Sequence, residues 1–538
     1  MENQFFGDFL ALGIIVPFDR KKRNKNYKKK EVDALLEEIK EIIKNNVKSL
    51  YDKSIEENYI EGMFDISVIS SPFNSKFIAD LMKEGFFHSQ LGFSYIFEKS
   101  IKEHLKKASN NPFLEIADEN KFDYYYEKIL ELKDRIVSQI DRLLIQDITT
   151  NINDDVIINV AHFKKEFLYD LPKNLKGFIC KRLDRPELIL ELSAAYEIPI
   201  LMTSRSFSKA AFAIIDGIHK TSYINPNEKR IKNTMDLRNS YTFVLGENPN
   251  YNSEEIKFYA TLVDKKDIDR VVSSTWYSGL ALFKTEYMYI TKGYSPSYEE
   301  QVELYSHLLN SFKDQIVQIR IPSFDEIKSL DYEEEIFTEL EYVRDYSRIF
   351  FTNIKAIKEA SERAKKRVAI IIPKLRMGIE VAKWKELIQG YIGFSTGDIE
   401  KPLFSIMLET ESALLYYEDY RYVDSIVYGL DNYIDECMEK SKYEKIDFEE
   451  FMLQAFPDLE GSHQYYRRTG IRLLHFVEGN ILKDPKILRK FMNKGFKHFI
   501  IPLSYVKKAG EVLFEKESIK GKYKDVYAKR KKKKENDK

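Results

Sequence analysis

The stretch GLALFKT, residues 279–285, is a short apolar run closed by a lysine and a threonine. Seven further runs of the same kind occur between residues 256 and 503: IKFYATL (256–262), QIVQIRIP (315–322), RVAIIIP (367–373), FSIMLET (404–410), VDSIVYGL (423–430), LLHFVEG (473–479) and HFIIPL (498–503). Strand-like runs alternate with helical pattern throughout this region. Eight β/α units in about 250 residues are the signature of a closed parallel (β/α)8 barrel, a TIM barrel.

A barrel places its chemistry at the carboxyl ends of its strands. Those ends supply Lys284, Glu286, Arg320, Lys374, Glu409, Asp431 and Glu478. Carboxylates facing basic groups have two readings. Either they hold a magnesium ion and an anionic substrate, or they are solvated or paired with one another, as strand-end charges commonly are.

Upstream of the barrel the pattern changes. FLALGIIVPF (9–18), DVIINVA (155–161), KGFIC (176–180), EIPILMT (197–203), FAIIDG (212–217) and TSYINP (221–226) read as the strands of a compact α/β unit, with a helix over 186–196. Between the first two lies a basic connection, DRKKRNKNYKKK (19–30), and then a helical stretch. There Val32, Leu35, Leu36, Ile39, Ile42, Ile43, Val47 and Leu50 recur at helical spacing as one apolar stripe. The chain is therefore an α/β multidomain protein. The α/β domain covers 1–19 and 146–235, an inserted all-helical subdomain 20–145, a linker 236–255, the barrel 256–516 and a basic tail 517–538.

Composition narrows the function classes. With 85 basic and 86 acidic residues in 538, no global field draws the chain to nucleic acid or an anionic membrane. The lysine-rich end, YAKRKKKKENDK (527–538), reads as a solvated tail. Two cysteines, Cys180 and Cys437, lack metal-ligand spacing and suit a reducing cytoplasm. The apolar run at 9–18 is too short to span a membrane. Glycine is scarce, 21 residues or about 4% against a usual value of roughly 7%, which counts against well-formed phosphate loops.

The order of these parts resembles Enzyme I of the bacterial phosphoenolpyruvate:sugar phosphotransferase system. GLALFKTEYMYI (279–290) with PSYEEQVELY (296–305), FSIMLETESALL (404–415) and EGNILKDPKILRKFMNKGFKHFIIPLSYVKKAGEVL (478–513) carry the likeness in the barrel. KGFICKRLDRPELILELSAAYEIPI (176–200) resembles the family's phosphohistidine segment in length and framing. The resemblance implies that the α/β unit is a swivelling phosphohistidine-type domain and that the helical insertion docks a phosphocarrier protein. It further implies a barrel that binds phosphoenolpyruvate with magnesium, a homodimer paired through the barrel and the aromatic stretch LLYYEDYRY (414–422), and a cytoplasmic location without membrane or nucleic-acid partners.

Carried over position by position, the resemblance shows losses. The phosphohistidine position falls on Leu188, and the two glycines before it are Leu183 and Asp184. None of the eight histidines lies between His162 and His219, so no neighbour can deputise. The first clamp arginine is Lys284, while the second is kept as Arg320. The loop SFDEIKSL (323–330) retains Lys328 as a substrate cation but no glycine, and a further arginine segment is shortened into DYEEEIFTEL (331–340). Glu409 and Asp431 match the metal ligands, and the proton-donor cysteine is Glu478. Two readings follow. One is a catalytically degenerate binding or regulatory module, and the other an active phosphotransferase working by an altered mechanism.

Overall fold

The computed structural model describes residues 3–7, 9–22, 27–56, 69–73, 78, 82–83, 86, 91–108, 119–205, 207, 211–241, 256–292, 295–312, 315–323, 347–392, 402–420, 422–438, 446–471 and 473–513. They divide into two compact units, Met1–Thr234 with Tyr287–Pro296, and Met235–Glu286 with Ser297–Lys538. The expected tail (527–538), the segment 331–340 and Lys328 lie outside the described residues.

The first unit holds a seven-stranded sheet. Its strands are β1 (Gln4–Phe6), β2 (Leu10–Pro17), β3 (Val156–Phe163), β4 (Leu175–Leu183), β5 (Ile200–Met202), β6 (Phe212–Asp216) and β7 (Thr221–Ile224), in the spatial order β1-β5-β4-β3-β2-β6-β7. The four central strands, β5-β4-β3-β2, run parallel, with antiparallel strands at both edges. One face is sealed by Ala11, Ile15, Ile157, Ile179, Leu201, Ala213 and Ile215, all buried. Successive side chains of a strand alternate between faces, which puts each strand's contribution at every second position.

Two details depart from the sequence reading. Strand β1 was not expected, and β4 runs on to Leu183 rather than ending at Cys180, which leaves a shorter charged loop. The extension carries exposed Lys181 and Arg182, so side-chain polarity hid it. Backbone pairing of His162 with Arg182 and of Phe163 with Leu183 maintains it.

Between β2 and β3 stand the helices Lys29–Glu56, Phe93–Ala108 and Glu119–Thr150. Val32, Leu35, Leu36, Ile39, Ile42 and Ile43 are buried along one side of the first, as their spacing predicts. A buried amide pair, Asn46 donating to Gln139 at 2.7 Å, joins the first of these helices to the third.

The second unit is a closed barrel. All eight runs read from the sequence form strands: β8 (Lys257–Leu262), β9 (Tyr277–Lys284), β10 (Ile316–Arg320), β11 (Ala369–Ile372), β12 (Leu403–Leu408), β13 (Ser425–Gly429), β14 (Leu474–Glu478) and β15 (His498–Ile500). Each is parallel to the next, and β15 pairs with β8 to close the ring. Tyr259, Ala281, Ile371, Met407, Val427, Phe476 and Ile500 cluster together as a buried core. These side chains fill the interior of the barrel.

Histidines gather toward the amino ends of β14 and β15. The His463 ring stacks 4.0 Å from Phe496 and lies 5.0 Å from His475. Nδ1 of His475 lies 3.1 Å from the Tyr428 hydroxyl, and Nδ1 of His498 lies 3.3 Å from that of Tyr259. Burial holds all three below the usual imidazole range: His463 at about 4, with Arg467 adding to the effect; His475 at about 3, with His463 and His498 adding; and His498 at about 4, with Lys257 and Lys497 adding. Glu460 opposes the shift at His463 without reversing it.

A histidine whose folded pKa is depressed takes up its proton more readily when unfolded. Its contribution is whole above about 6.5 and is lost as pH falls toward the folded value. Each tenfold change in proton affinity is worth about 1.4 kcal/mol, so three such groups together should remove several kcal/mol. Urea unfolding of the barrel should show stability falling steeply from pH 6.5 to 4. A profile that is flat across that window would contradict this assignment.

Candidate functional site

The expected residues Lys284, Arg320, Glu409, Asp431 and Glu478 all stand at or just beyond the carboxyl ends of barrel strands. Arg320 ends β10 and is nearly fully buried. Its Nη2 pairs with Glu286, and its Nη1 lies 3.8 Å from Oε2 of Glu409 and 3.4 Å from the sulfur of Met407. The three ionic side chains are at most 2% exposed, so this pairing is made in a low-dielectric environment. Thr285 ties the same corner, donating through Oγ1 to the carbonyl of Arg320 at 2.7 Å.

Lys284, at the end of β9, reaches across to Glu478 at the end of β14, Nζ to Oε1 at 3.0 Å. Burial acts to lower the ammonium pKa, but the carboxylates of Glu478, Asp431 and Glu286 outweigh it. The net shift is upward, so Lys284 is charged at neutral pH. Glu478 is thus the counter-ion of the lysine that stands in place of a clamp arginine.

The two carboxylates matched to metal ligands are held by amides. Glu409 accepts at Oε1 from the backbone N–H of Lys374 (2.7 Å) and at Oε2 from Nδ2 of Asn432 (2.6 Å). Asp431 accepts from the backbone N–H of Asn480 at 2.7 Å and from its Nδ2 at 3.0 Å. Two glycines make room for them. A Cβ on Gly429 would lie 2.9 Å from that of Glu409, and Gly479 (φ +151°) would bring one to 3.1 Å from Oδ1 of Asp431. Thr410 caps the helix Glu411–Leu415, accepting at Oγ1 from the Ala413 N–H, and donates to the carbonyl of Leu375 at 2.7 Å. That fixes the loop after Glu409.

The donor set fits a hard divalent cation. Carboxylate oxygens that each accept one hydrogen bond keep a second lone pair, amide donors behind a ligand are what orients it, and magnesium commonly takes only one or two carboxylates plus substrate oxygens. Among the described strand-end side chains, the four carboxylates Glu286, Glu409, Asp431 and Glu478 outnumber the cations Lys284, Arg320 and Lys374. Among the described residues no three His, Cys, Asp or Glu side chains converge into a metal cluster, so such a site would need oxygen ligands from a bound anion or water.

In the first unit Leu188 is half-buried in the first turn of the helix Pro186–Tyr196. Arg185 caps that helix with φ 53°, a left-handed conformation that glycine adopts without steric cost. The expectation that no histidine neighbours the loop before that helix needs correcting. Parallel pairing of β3 and β4 brings Nε2 of His162 to 2.9 Å from Oδ1 of Asp184.

Sequence reasoning missed Asn432, Asn480 and His162. Asn432 adjoins Asp431, and Asn480 follows the Glu478-Gly479 pair, so strand-end position was a usable signal for both. Glu286 appeared among the strand-end charges, but nothing in the sequence showed that it would hold Arg320.

Part of the sequence is similar to known proteins. The family described as PEP-utilising enzyme, PEP-binding domain matches residues 242–438, a segment that includes Lys284, Arg320, Glu409 and Asp431. Over that segment the chain is similar to PEP-utilising enzymes. Among curated relatives, the phosphoenolpyruvate-protein phosphotransferase of Mycoplasma capricolum subsp. capricolum is 24% identical over 287 residues, covering 49% of this chain and 50% of the relative. That of Buchnera aphidicola subsp. Baizongia pistaciae is 22% identical over 392 residues, covering 68% and 67%. Against most of the first relatives the chain thus spans about half their length. A solution structure of Enzyme I aligns over 44% of this chain and 99% of its own, at 14% identity with a TM-score of 0.22, too slight a likeness to argue from. Among the described residues no helix is long and apolar enough to cross a membrane.

Proposed function

We propose that this Enzyme I-like chain is a catalytically degenerate member, a cytoplasmic binding or regulatory module that does not pass phosphate from phosphoenolpyruvate to a phosphocarrier. One observation carries the reading: Lys284 and Arg320, the two described residues matched to substrate cations, are already engaged by acidic side chains of the chain itself, Lys284 by Glu478 and Arg320 by Glu286. A cation held by an internal carboxylate has less to offer the charge that develops on a transferring phosphoryl group. Leu188, which has no lone pair, removes the acceptor as well.

What is left is a site for a small acid. Glu409 and Asp431 would hold magnesium, which would supply positive charge to bridge a carboxylate or phosphate to the protein. Asn432 and Asn480 orient those two carboxylates, and Lys284 and Arg320 border the same strand ends. Binding is expected to be weak, because an entering anion competes with Glu478 for Lys284. Calorimetry with magnesium and phosphoenolpyruvate should give at most millimolar affinity for the wild type and none for Glu409→Ala. Glu478→Gln, which frees Lys284, should bind roughly tenfold more tightly, equivalent to about 1.4 kcal/mol. Equal heats in all three proteins would mean that the site is not there.

The barrel is also proposed to form a homodimer. Leu415, Tyr416 and Tyr422 in the aromatic stretch are each more than half exposed, as interface aromatics are in a free subunit. Sedimentation at micromolar concentration should show twice the chain mass, and a species of 63.6 kDa alone would remove the proposal.

A further inference from the structure

The ion pair of Lys284 and Glu478 crosses the mouth of the barrel. Lys284 ends β9 and Glu478 ends β14, and β8 and β15 stand between those strands around the ring. Nζ of Lys284 lies 3.0 Å from Oε1 of Glu478, with 18% of the lysine side chain and 9% of the glutamate exposed. Both charges are thus reachable from solvent while most of each side chain is packed. An ammonium carries three N–H donors, and a carboxylate two oxygens with about four lone-pair sites. One contact between them leaves each with capacity for a ligand.

The charges around this pair decide which ligand fits. Lys284 stands in the field of three carboxylates, Glu478, Asp431 and Glu286, and of one cation, Arg320. Arg320 is itself committed to Glu286. A simple anion that reaches Lys284 therefore meets the Glu478 carboxylate beside it, and like charges repel strongly where water is largely excluded. Pushing Glu478 aside would strand a carboxylate that is nine-tenths buried, which is the costly way to break an ion pair. A zwitterion avoids both penalties. The carboxylate and the ammonium of an α-amino acid are attached to one carbon, close enough together to meet both members of the pair. The first can accept from Nζ of Lys284 while the second donates to Oε2 of Glu478. The four charges then alternate in sign, and neither side chain loses its partner.

We propose that the barrel mouth selects a small α-amino acid over the corresponding hydroxy or keto acid, with Lys284 holding its carboxylate and Glu478 its ammonium. Amino-acid selection deepens the small-acid reading of the same strand ends and rests on it. Weak binding of phosphoenolpyruvate and tighter binding of an amino acid then have one cause, the carboxylate of Glu478. That residue determines specificity as well as opposing plain anions.

L-Alanine and L-lactate differ at the one group in question, ammonium against hydroxyl, and calorimetry of the full chain with each, magnesium being present throughout, tests the proposal. The wild type should bind alanine at least roughly tenfold more tightly than lactate. Glu478→Gln keeps the shape and removes the charge. It should lower the affinity for alanine about tenfold and raise that for lactate about tenfold, so that the order reverses. Equal affinities on the wild type, tighter lactate, or alanine binding unmoved by Glu478→Gln would overturn the inference. If alanine and lactate bind the wild type equally and both are lost in Glu409→Ala, the inference fails alone and the small-acid reading stands. No heat from either ligand would overturn both. An alanine preference that persists in Glu409→Ala would uphold the inference and remove the metal-holding role of Glu409.

Discussion

Glu286→Ala is expected to destabilise the barrel by about 3–5 kcal/mol, the cost of leaving one member of a buried ion pair alone. Arg320 and Glu286 are 2% and 0% exposed, and the guanidinium has no route to water once its partner is gone. Glu409 does not replace it, because it stands 3.8 Å away and its oxygens already accept from Lys374 and Asn432. Replacing both partners with apolar residues of similar volume, Arg320→Met with Glu286→Leu, should recover most of the loss, since no uncompensated charge is then buried. Urea unfolding of the wild type, the single variant and the pair measures this directly. A single variant as stable as the wild type would show that the pair is not formed.

That pair marks where sequence reading stops. The eight barrel strands were legible because strands of a parallel barrel are buried on both faces and so read as unbroken apolar runs, RVAIIIP being the plainest. That Glu409 and Asp431 stand at the carboxyl ends of their strands was legible because each follows such an apolar run directly. Strand β1 was not, since QFF is three residues long and too short to show any period. Nor were the partners of the charges. Glu478 lies far in sequence from the lysine it engages, and only closure of the barrel makes them neighbours. The contact of His162 with Asp184 depends in the same way on the register of β3 against β4, which no spacing along the chain encodes.

The other large effect concerns phosphoryl transfer itself, where the account predicts none from phosphoenolpyruvate. An aliphatic side chain at 188 has nothing to donate to phosphorus, so the acceptor of the resembled family is missing. Leu188→His alone should not restore it. The loop before it lacks the glycine amides that cradle a phosphate, and Asp184 is engaged by Lys164 and His162. In the barrel, Lys284 gives a point charge where a bidentate fork would match the phosphoryl oxygens, and Glu478 already holds it. Loss of such electrostatic stabilisation at one donor costs about a hundredfold to a thousandfold in rate, and here several donors are altered together.

Incubation of the wild type with radiolabelled phosphoenolpyruvate and magnesium, with and without a phosphocarrier protein, tests this most directly. No acid-labile label is expected on the chain or the carrier, and no pyruvate above the blank. Near-stoichiometric acid-labile label on the wild type would contradict it.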